Sequence, residues 1–403
     1  MVRSRSLRRR SSPSSRSTDD GDALTPGYDA KRVFQNATGL GSYGRFVLRT
    51  LVERFPDSRC LLYTPRVDPE VSQDVSAVLS DAARLPPPGL RSGPGAALWR
   101  TYRLGRRAAR DGAMLFHGLS QELPRDLPRK LPAVVSILDL LPFRHPEFFP
   151  RVDRAVYRWK VRWSVDRADL MVTASHRTAS DLTTFCGVDQ GRVRVIPVGT
   201  HPRFRQRLSG DALQRQREAH RLPSEYVLMV GRLERRKNAI LGLRALRLLA
   251  PAERPVMVLV GGGGGGKTRY AHLLGAYVAQ HRLGPWVKFL GQVRSADLPA
   301  IYQAATALLY PSLSEGFGIP VLEAMSSGIP VIAARGSSLE EVGGDAPHYI
   351  DPEDPEELAE ALRDVLESEL LRTEMVAKGH RRTARFEDDS LADAMMGVYR
   401  ELL

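Results

Sequence analysis

Residues 310–334 read YPSLSEGFGIPVLEAMSSGIPVIAA, and the order of signals in this stretch decides the fold. An apolar run of strand length, ALLYP, leads into Ser314-Glu315-Gly316-Phe317-Gly318. Pro320 then sits where the first turn of a helix tolerates proline, and PVIAA supplies a second buried strand. Strand, glycine loop, helix and strand in that order build one unit of a parallel sheet. Gly316 and Gly318 let the backbone approach a ligand closely. The N–H groups that open the helix can hold an anion. Glu315 lies before the helix and Glu323 within its first turns, with Phe317 between them. Two carboxylates beside an anion pocket suit a ligand that carries both phosphates and hydroxyls.

Outward from this unit the pattern repeats. YVLMVG, VMVLVG, VKFLG, ALLYPS, PVIAAR and HYID are six buried-strand runs in the second half, and helical patterns such as NAILGLRALRLLA intervene between several of them. In the first half CLLYT, AVVSIL, the end of DRADLMVTAS and GRVRVIPVG are strand-like, while Leu48, Leu51, Val52 and Phe55 form a helical stripe. Residues 198–224 lose the apolar runs and read as a connection. The expected organisation is a basic arm at 1–27, a first domain at 28–200, a second at 201–385 and a closing helix at 386–403 that could return to the first. Both domains are expected to be doubly wound α/β units facing a cleft, the usual ligand site of such sheets. The strand end in VGRLERRKN adds Arg232 and Lys237, two cations that with a helix N-terminus could neutralise a diphosphate.

Composition narrows the class. The 403 residues exceed one typical domain, and no apolar run approaches the roughly 20 residues of a membrane span. Two cysteines, Cys60 and Cys186, are too few and too far apart for a zinc site or disulfide framework, so a reducing compartment, the cytoplasm, is expected. The opening MVRSRSLRRRSSPSSRSTDD lacks the apolar core of a secretory signal. A net charge of +13 favours an anionic partner. RSGPGAALWRTYRLGRRAAR (91–110) and RVDRAVYRWKVRWSVDR (151–167) mix arginine with aromatics, as segments lying on anionic headgroups do, and equally as solvated helices with aromatics turned inward. No nucleic-acid recognition module accompanies them, and no nucleic-acid partner is expected.

Two glycine motifs point elsewhere. VLVGGGGGGKTRYAHLLGAY (258–277) satisfies the Walker A pattern from Gly261 to Thr268, with Lys267 as its lysine. Six consecutive glycines satisfy any pattern that asks only for glycine, and none of the longer strands of the second half ends in the magnesium-binding Asp the motif needs. GLGSYG (Gly39, Gly41, Gly44) fits the dinucleotide fingerprint, but the strand that should end in a ribose-binding acid ends at Thr64-Pro65. A tight glycine turn at the cleft survives that check.

The chain resembles the family-4 retaining glycosyltransferases of the GT-B fold. The resemblance rests on Glu315 and Glu323 as the E-x7-E signature, on Arg232, Lys237 and Asn238 as the GR…KN signature, and on EVGGDAPHYIDPEDPEELAEAL. In the first half DAKRVFQNATGLGSYGR, FHGLSQELP and VIPVGTHPRF look like its bacterial mannosyltransferase-like branch, and the likeness runs over roughly 28–400. It implies that Glu323 binds the nucleotide ribose, Glu315 the transferred sugar, and Arg232 and Lys237 the diphosphate. Gly316, Phe317 and Gly318 would frame that pocket, Gly41 would approach the phosphates across the cleft, and His117 would lie near the reacting sugar. It further implies retention of anomeric configuration, with the leaving phosphate assisting deprotonation, and neither cofactor nor bound metal. The expected activity moves a hexose, with GDP-mannose the favoured donor, to a hydroxyl of a lipid-linked or cell-surface glycan, with peripheral contact at the inner face of an anionic membrane. The alternatives are a UDP-hexose donor, a P-loop NTPase through Gly261–Thr268, and an inactive sugar-nucleotide-binding protein. Leu138 prompts the last, since many relatives read His before Asp139.

Overall fold

A computed structural model describes residues 23–36, 38–72, 75, 77–262 and 269–403. The first domain carries a seven-stranded sheet: β1 (Pro26–Asp29), β2 (Leu61–Tyr63), β3 (Ala83–Arg84), β4 (Leu115–Gly118), β5 (Ala133–Ile137), β6 (Leu170–Thr173) and β7 (Val193–Val195). Their spatial order is β3-β2-β1-β4-β5-β6-β7, and every pairing is parallel. The second domain carries β8 (Val227–Val230), β9 (Met257–Val260), β10 (Val287–Gly291), β11 (Ala307–Tyr310), β12 (Val331–Ala334) and β13 (His348–Ile350). These lie in the order β10-β9-β8-β11-β12-β13, again all parallel. Both orders reverse direction once, beside the first strand of each domain, where an open α/β sheet leaves its ligand crevice.

Seven helices bear on the site. They are α1 (Gly39–Arg54), α2 (Gly93–Tyr102), α3 (Leu104–Arg110), α4 (Arg151–Arg167), α5 (His176–Cys186), α6 (Ile319–Ser326) and α7 (Asp388–Arg400). The last follows the second domain in sequence and packs on α1 of the first. Arg49 meets Asp388 at 2.9 Å and Arg54 meets Asp393 at 3.0 Å. Asp388 also takes Arg205, from the other crossing between domains, at 3.0 Å. One carboxylate therefore ties both connecting segments to α1.

The strand β1 lies inside its sheet although TPGYDAKR offers little apolar length. All four of its residues are buried, and Asp29 is tolerated there because Arg100 of α2 meets it at 2.5 Å. A buried carboxylate so paired escapes most of the cost of an isolated one.

Candidate functional site

The two sheets face each other across a cleft of about 790 Å³. On the second domain β11 ends at Tyr310 and hands the chain to the loop Ser314–Gly318, which opens α6. Gly318 takes φ of +125°, a conformation that a side chain would strain, and no side chain caps the first turn of α6. Ser338 Oγ bonds the carbonyls of Glu315 and Phe317 at 2.8 and 2.9 Å, fixing the loop from behind. Phe317 packs edge-on against Phe386 at 6.1 Å.

Glu315 is nearly buried and bridges two cations. Lys237 Nζ lies 2.6 Å from Oε1 and Arg236 lies 2.7 Å from Oε2, while Tyr310 donates its hydroxyl to Oε1 at 3.1 Å. Burial alone would raise this carboxyl, but the guanidinium and ammonium outweigh it and hold the group at about 2. Glu323, one turn into α6, accepts the Tyr302 hydroxyl at 2.9 Å. Burial there pushes its carboxyl up to about 7, and the Tyr302 bond and the Arg203 charge offset only part of the rise. Arg232 stands exposed at the end of β8 in the same cleft wall. Positive charge thus borders the pocket at the helix N-terminus, with a fixed anion and a titrating acid on either side of it.

Glu315, Glu323, Arg232, Lys237, Gly316, Phe317 and Gly318, singled out from the sequence, all line this cleft. Two other expectations fail on placement. His117 does not reach the cleft surface. It sits on β4 with no exposure, and both ring nitrogens are engaged, Nδ1 with Tyr399 and Nε2 with Ser136, each at 2.8 Å. Burial presses its pKa down to about 3, so the ring is neutral. Gly41 lies inside the first turn of α1, and a Cβ there would fall 1.8 Å from the Asn36 carbonyl oxygen. Its glycine serves the close turn before α1, while Gly39, Leu40 and Ser42 face the cleft. The phosphate-loop expectation falls largely on Gly263–Thr268, Lys267 included, which lie outside the described residues. Gly261, at φ +127°, abuts the Gly231 carbonyl, where a Cβ would come within 2.0 Å.

Sequence reasoning missed Arg236, because three consecutive cations in ERRKN do not announce which of them turns inward. It also missed the contacts that hold the domains together. Ser175 Oγ donates to the Gly316 carbonyl at 2.7 Å, and a Cβ on Gly316 would lie 2.1 Å from the Leu138 carbonyl oxygen. Leu138 and Asp139 therefore form the first domain's side of the glycine loop. Burial raises the Asp139 carboxyl, with Arg236 pulling the other way.

Two facing parallel α/β sheets with a basic pocket at a glycine loop define a transferase of the GT-B architecture. Comparison with known proteins agrees. The profile described as "Glycosyl transferases group 1" matches residues 211–382, and that described as "Glycosyltransferase Family 4" matches residues 45–204. O-antigen chain mannosyltransferase B of Escherichia coli is 30% identical over 289 residues, 72% of this chain and 74% of that protein. A D-inositol 3-phosphate glycosyltransferase of Acidothermus cellulolyticus is 31% identical over 246 residues, 59% of this chain and 54% of that protein. Among solved structures, Anabaena Alr3699/HepE in complex with UDP-glucose superposes with a TM-score of 0.73 at 19% identity, covering 94% of this chain and 100% of that one. The chain belongs to the family-4 GT-B glycosyltransferases, in their mannosyltransferase-like range.

Proposed function

We propose that this glycosyltransferase moves a hexose, mannose from GDP-mannose foremost, to a hydroxyl of a lipid-linked or cell-surface glycan. The observation that carries the proposal is the clustering of Arg232, Arg236 and Lys237 with Glu315 and the N-terminus of α6. A diphosphate leaving group gains negative charge as the glycosidic bond breaks, and cations already in place stabilise that charge without reorganisation. No metal is assigned a role, since these side chains can supply the neutralisation. Glu323 is the acceptor for the ribose hydroxyls and Glu315 for the sugar. The name of the Escherichia coli relative supports mannose and a glycan acceptor. UDP-glucose in the Anabaena structure keeps a UDP-hexose donor as the second reading.

The test is calorimetric titration of GDP, UDP, GDP-mannose and UDP-glucose with chelator present. Selective binding of one guanosine ligand, lost in Glu323→Ala while the variant still unfolds cooperatively, supports the proposal. Unchanged affinity in that variant overturns the ribose assignment, and selectivity for uridine ligands replaces the donor.

The partner side of the proposal is an anionic membrane face. No helix among the described residues is long and apolar enough to cross a bilayer. One face of α4 instead exposes Val152 (73%), Val156 (48%) and Trp159 (49%). Arg125 stacks on Trp159 and Trp163 at 4.1 and 4.7 Å, and Arg151, Arg154, Arg158 and Arg162 border the same groove. Apolar residues framed by arginine match a headgroup layer. The same helix presents Asp153, Tyr157 and Lys160 to the cleft, so a lipid-held acceptor would meet the site there. Co-sedimentation with phosphatidylglycerol vesicles at low salt should fall on adding salt and in Trp159→Ser. No sedimentation at low salt ends this part of the proposal.

A further inference from the structure

His117 is buried at the centre of a line of polar side chains that joins β4 and β5 to α1 and α7 on one face of the first sheet. Tyr43 of α1 lies 2.6 Å from Ser136 of β5 through their hydroxyls, Ser136 Oγ lies 2.8 Å from His117 Nε2, and His117 Nδ1 lies 2.8 Å from the Tyr399 hydroxyl of α7. All four residues are at most 1% exposed. Tyr43 stands in the wall of the cleft, beside Ser42 and Phe46. Tyr399 is 282 residues from His117 and reaches this place only because α7 crosses back from the second domain. The line therefore has one end at the helix that returns from the second domain and the other in the wall of the cleft.

We propose that His117 is a positioning residue that transmits the seating of α7 to Tyr43 and the cleft-facing start of α1. The ring can do this because an imidazole has two hydrogen-bonding nitrogens at a fixed separation, one donor and one acceptor when neutral. In the Nδ1–H tautomer, Nδ1 donates to Tyr399, Nε2 accepts from Ser136, and Ser136 in turn accepts from Tyr43. The Nε2–H tautomer reverses the two bonds to the ring. In either case a shift of α7 that breaks the Tyr399 bond leaves a buried ring nitrogen unpaired, which is costly at zero exposure. The rings pack as well as bond: His117 and Tyr399 meet edge-on at 5.7 Å, and Tyr28, its register partner on β1, lies 6.0 Å away. This line connects the crossing helix to the cleft wall through side chains buried in the first domain.

The experiment uses the full chain with single hydroxyl deletions, which keep packing intact where removal of His117 could prevent folding. Tyr399→Phe and Ser136→Ala are compared with wild type by hydrogen exchange, alongside Arg54→Ala, which removes the exposed Arg54–Asp393 pair between α1 and α7 without touching the line. The expected result is that Tyr399→Phe raises exchange severalfold at residues 39–46 of α1 as well as in α7. Ser136→Ala should raise it in α7, and Arg54→Ala should leave residues 39–46 unchanged. Exchange confined to α7 in Tyr399→Phe overturns the proposal, as does an equal rise at 39–46 in Arg54→Ala. A second readout rests on the transferase reading: kcat falls about tenfold in Tyr399→Phe while the Kd of GDP or UDP stays unchanged. Equal loss of kcat and nucleotide affinity would mark general loosening and overturn the positioning role. Absence of turnover in wild type with every nucleotide sugar would instead count against the transferase reading, and the exchange result stands apart from it.

Discussion

Glu341 of the second domain places its carboxylate on the opening amides of α5 in the first: Oε2 lies 2.6 Å from His176 N and Oε1 lies 2.8 Å from Arg177 N. These donors have no partner within their own helix, and an anion at a helix N-terminus is stabilised by the aligned peptide dipoles. A few residues away, Ser175 and Gly316 join the same two domains through a hydrogen bond. The cleft is thus held closed by contacts that lie directly behind the glycine loop.

Glu341→Ala should loosen that closure. A charge at a helix terminus contributes roughly 0.3–2 kcal/mol, enough to shift an open–closed balance without unfolding either domain. Small-angle scattering should register a larger radius of gyration in the variant, with a cooperative melt retained. Identical scattering curves would mean that the closed arrangement is held elsewhere.

Gly316→Ala tests the same closure by steric means. The new Cβ would sit 2.1 Å from the Leu138 carbonyl oxygen and 2.7 Å from Asp139 Cβ, both on the first domain. Backbone atoms cannot yield that much, so the domains must part. Transfer should fall by 100-fold or more, while the variant's thermal midpoint stays within a few degrees of wild type. Wild-type turnover would refute the assigned contact.

Glu315 should shape acid stability. Its carboxyl is held at about 2 in the folded chain, against about 4.3 when unfolded. A depressed carboxyl adds stability above the unfolded value and loses it as pH falls through the folded one, so the loss spans about pH 4 to 2. The loss is on the order of a few kcal/mol. Glu315→Ala also leaves Lys237 without its carboxylate partner and Arg236 with Glu234 alone in a nearly buried site, which costs about 3–5 kcal/mol. Urea unfolding at pH 7 should show that deficit, and the variant should lose less further stability than wild type between pH 4 and 2.

How far these residues were legible depended on the kind of signal each sends. Second-domain strands such as MVLV and VIAA are buried on both faces, so apolar runs alone reveal them. In the first domain β1 carries Pro26, Gly27 and Asp29 and hides its central place, because its stability depends on Arg100 some seventy residues later. Glu315 and Glu323 were legible because the glycine–proline frame fixes their local backbone. His117 shows the opposite limit. A sequence places a histidine near a strand end, but not which side of the sheet it faces, and its decisive partner Tyr399 arrives from the far end of the chain. Gly41 misled for a related reason: a glycine required by its own helix start looks the same, in sequence, as one required by a ligand.

Glu323 should make nucleotide binding depend on pH near neutrality. Burial raises its carboxyl to about 7, above the unfolded value, so the folded chain holds an extra proton between about pH 4.3 and 7. Its contribution to stability is therefore greatest at low pH and declines as pH rises through 7. Binding runs the other way, because an ionised carboxylate is a stronger acceptor for ribose hydroxyls than a protonated one. Affinity for GDP or UDP should rise severalfold from pH 6 to pH 8 in wild type. The nucleotide's terminal phosphate also ionises near neutrality, so the comparison that decides the matter is Glu323→Gln. That variant keeps the phosphate's share of the dependence and loses the protein's. Parallel pH profiles for the two proteins in calorimetric titrations would show that Glu323 does not meet the nucleotide.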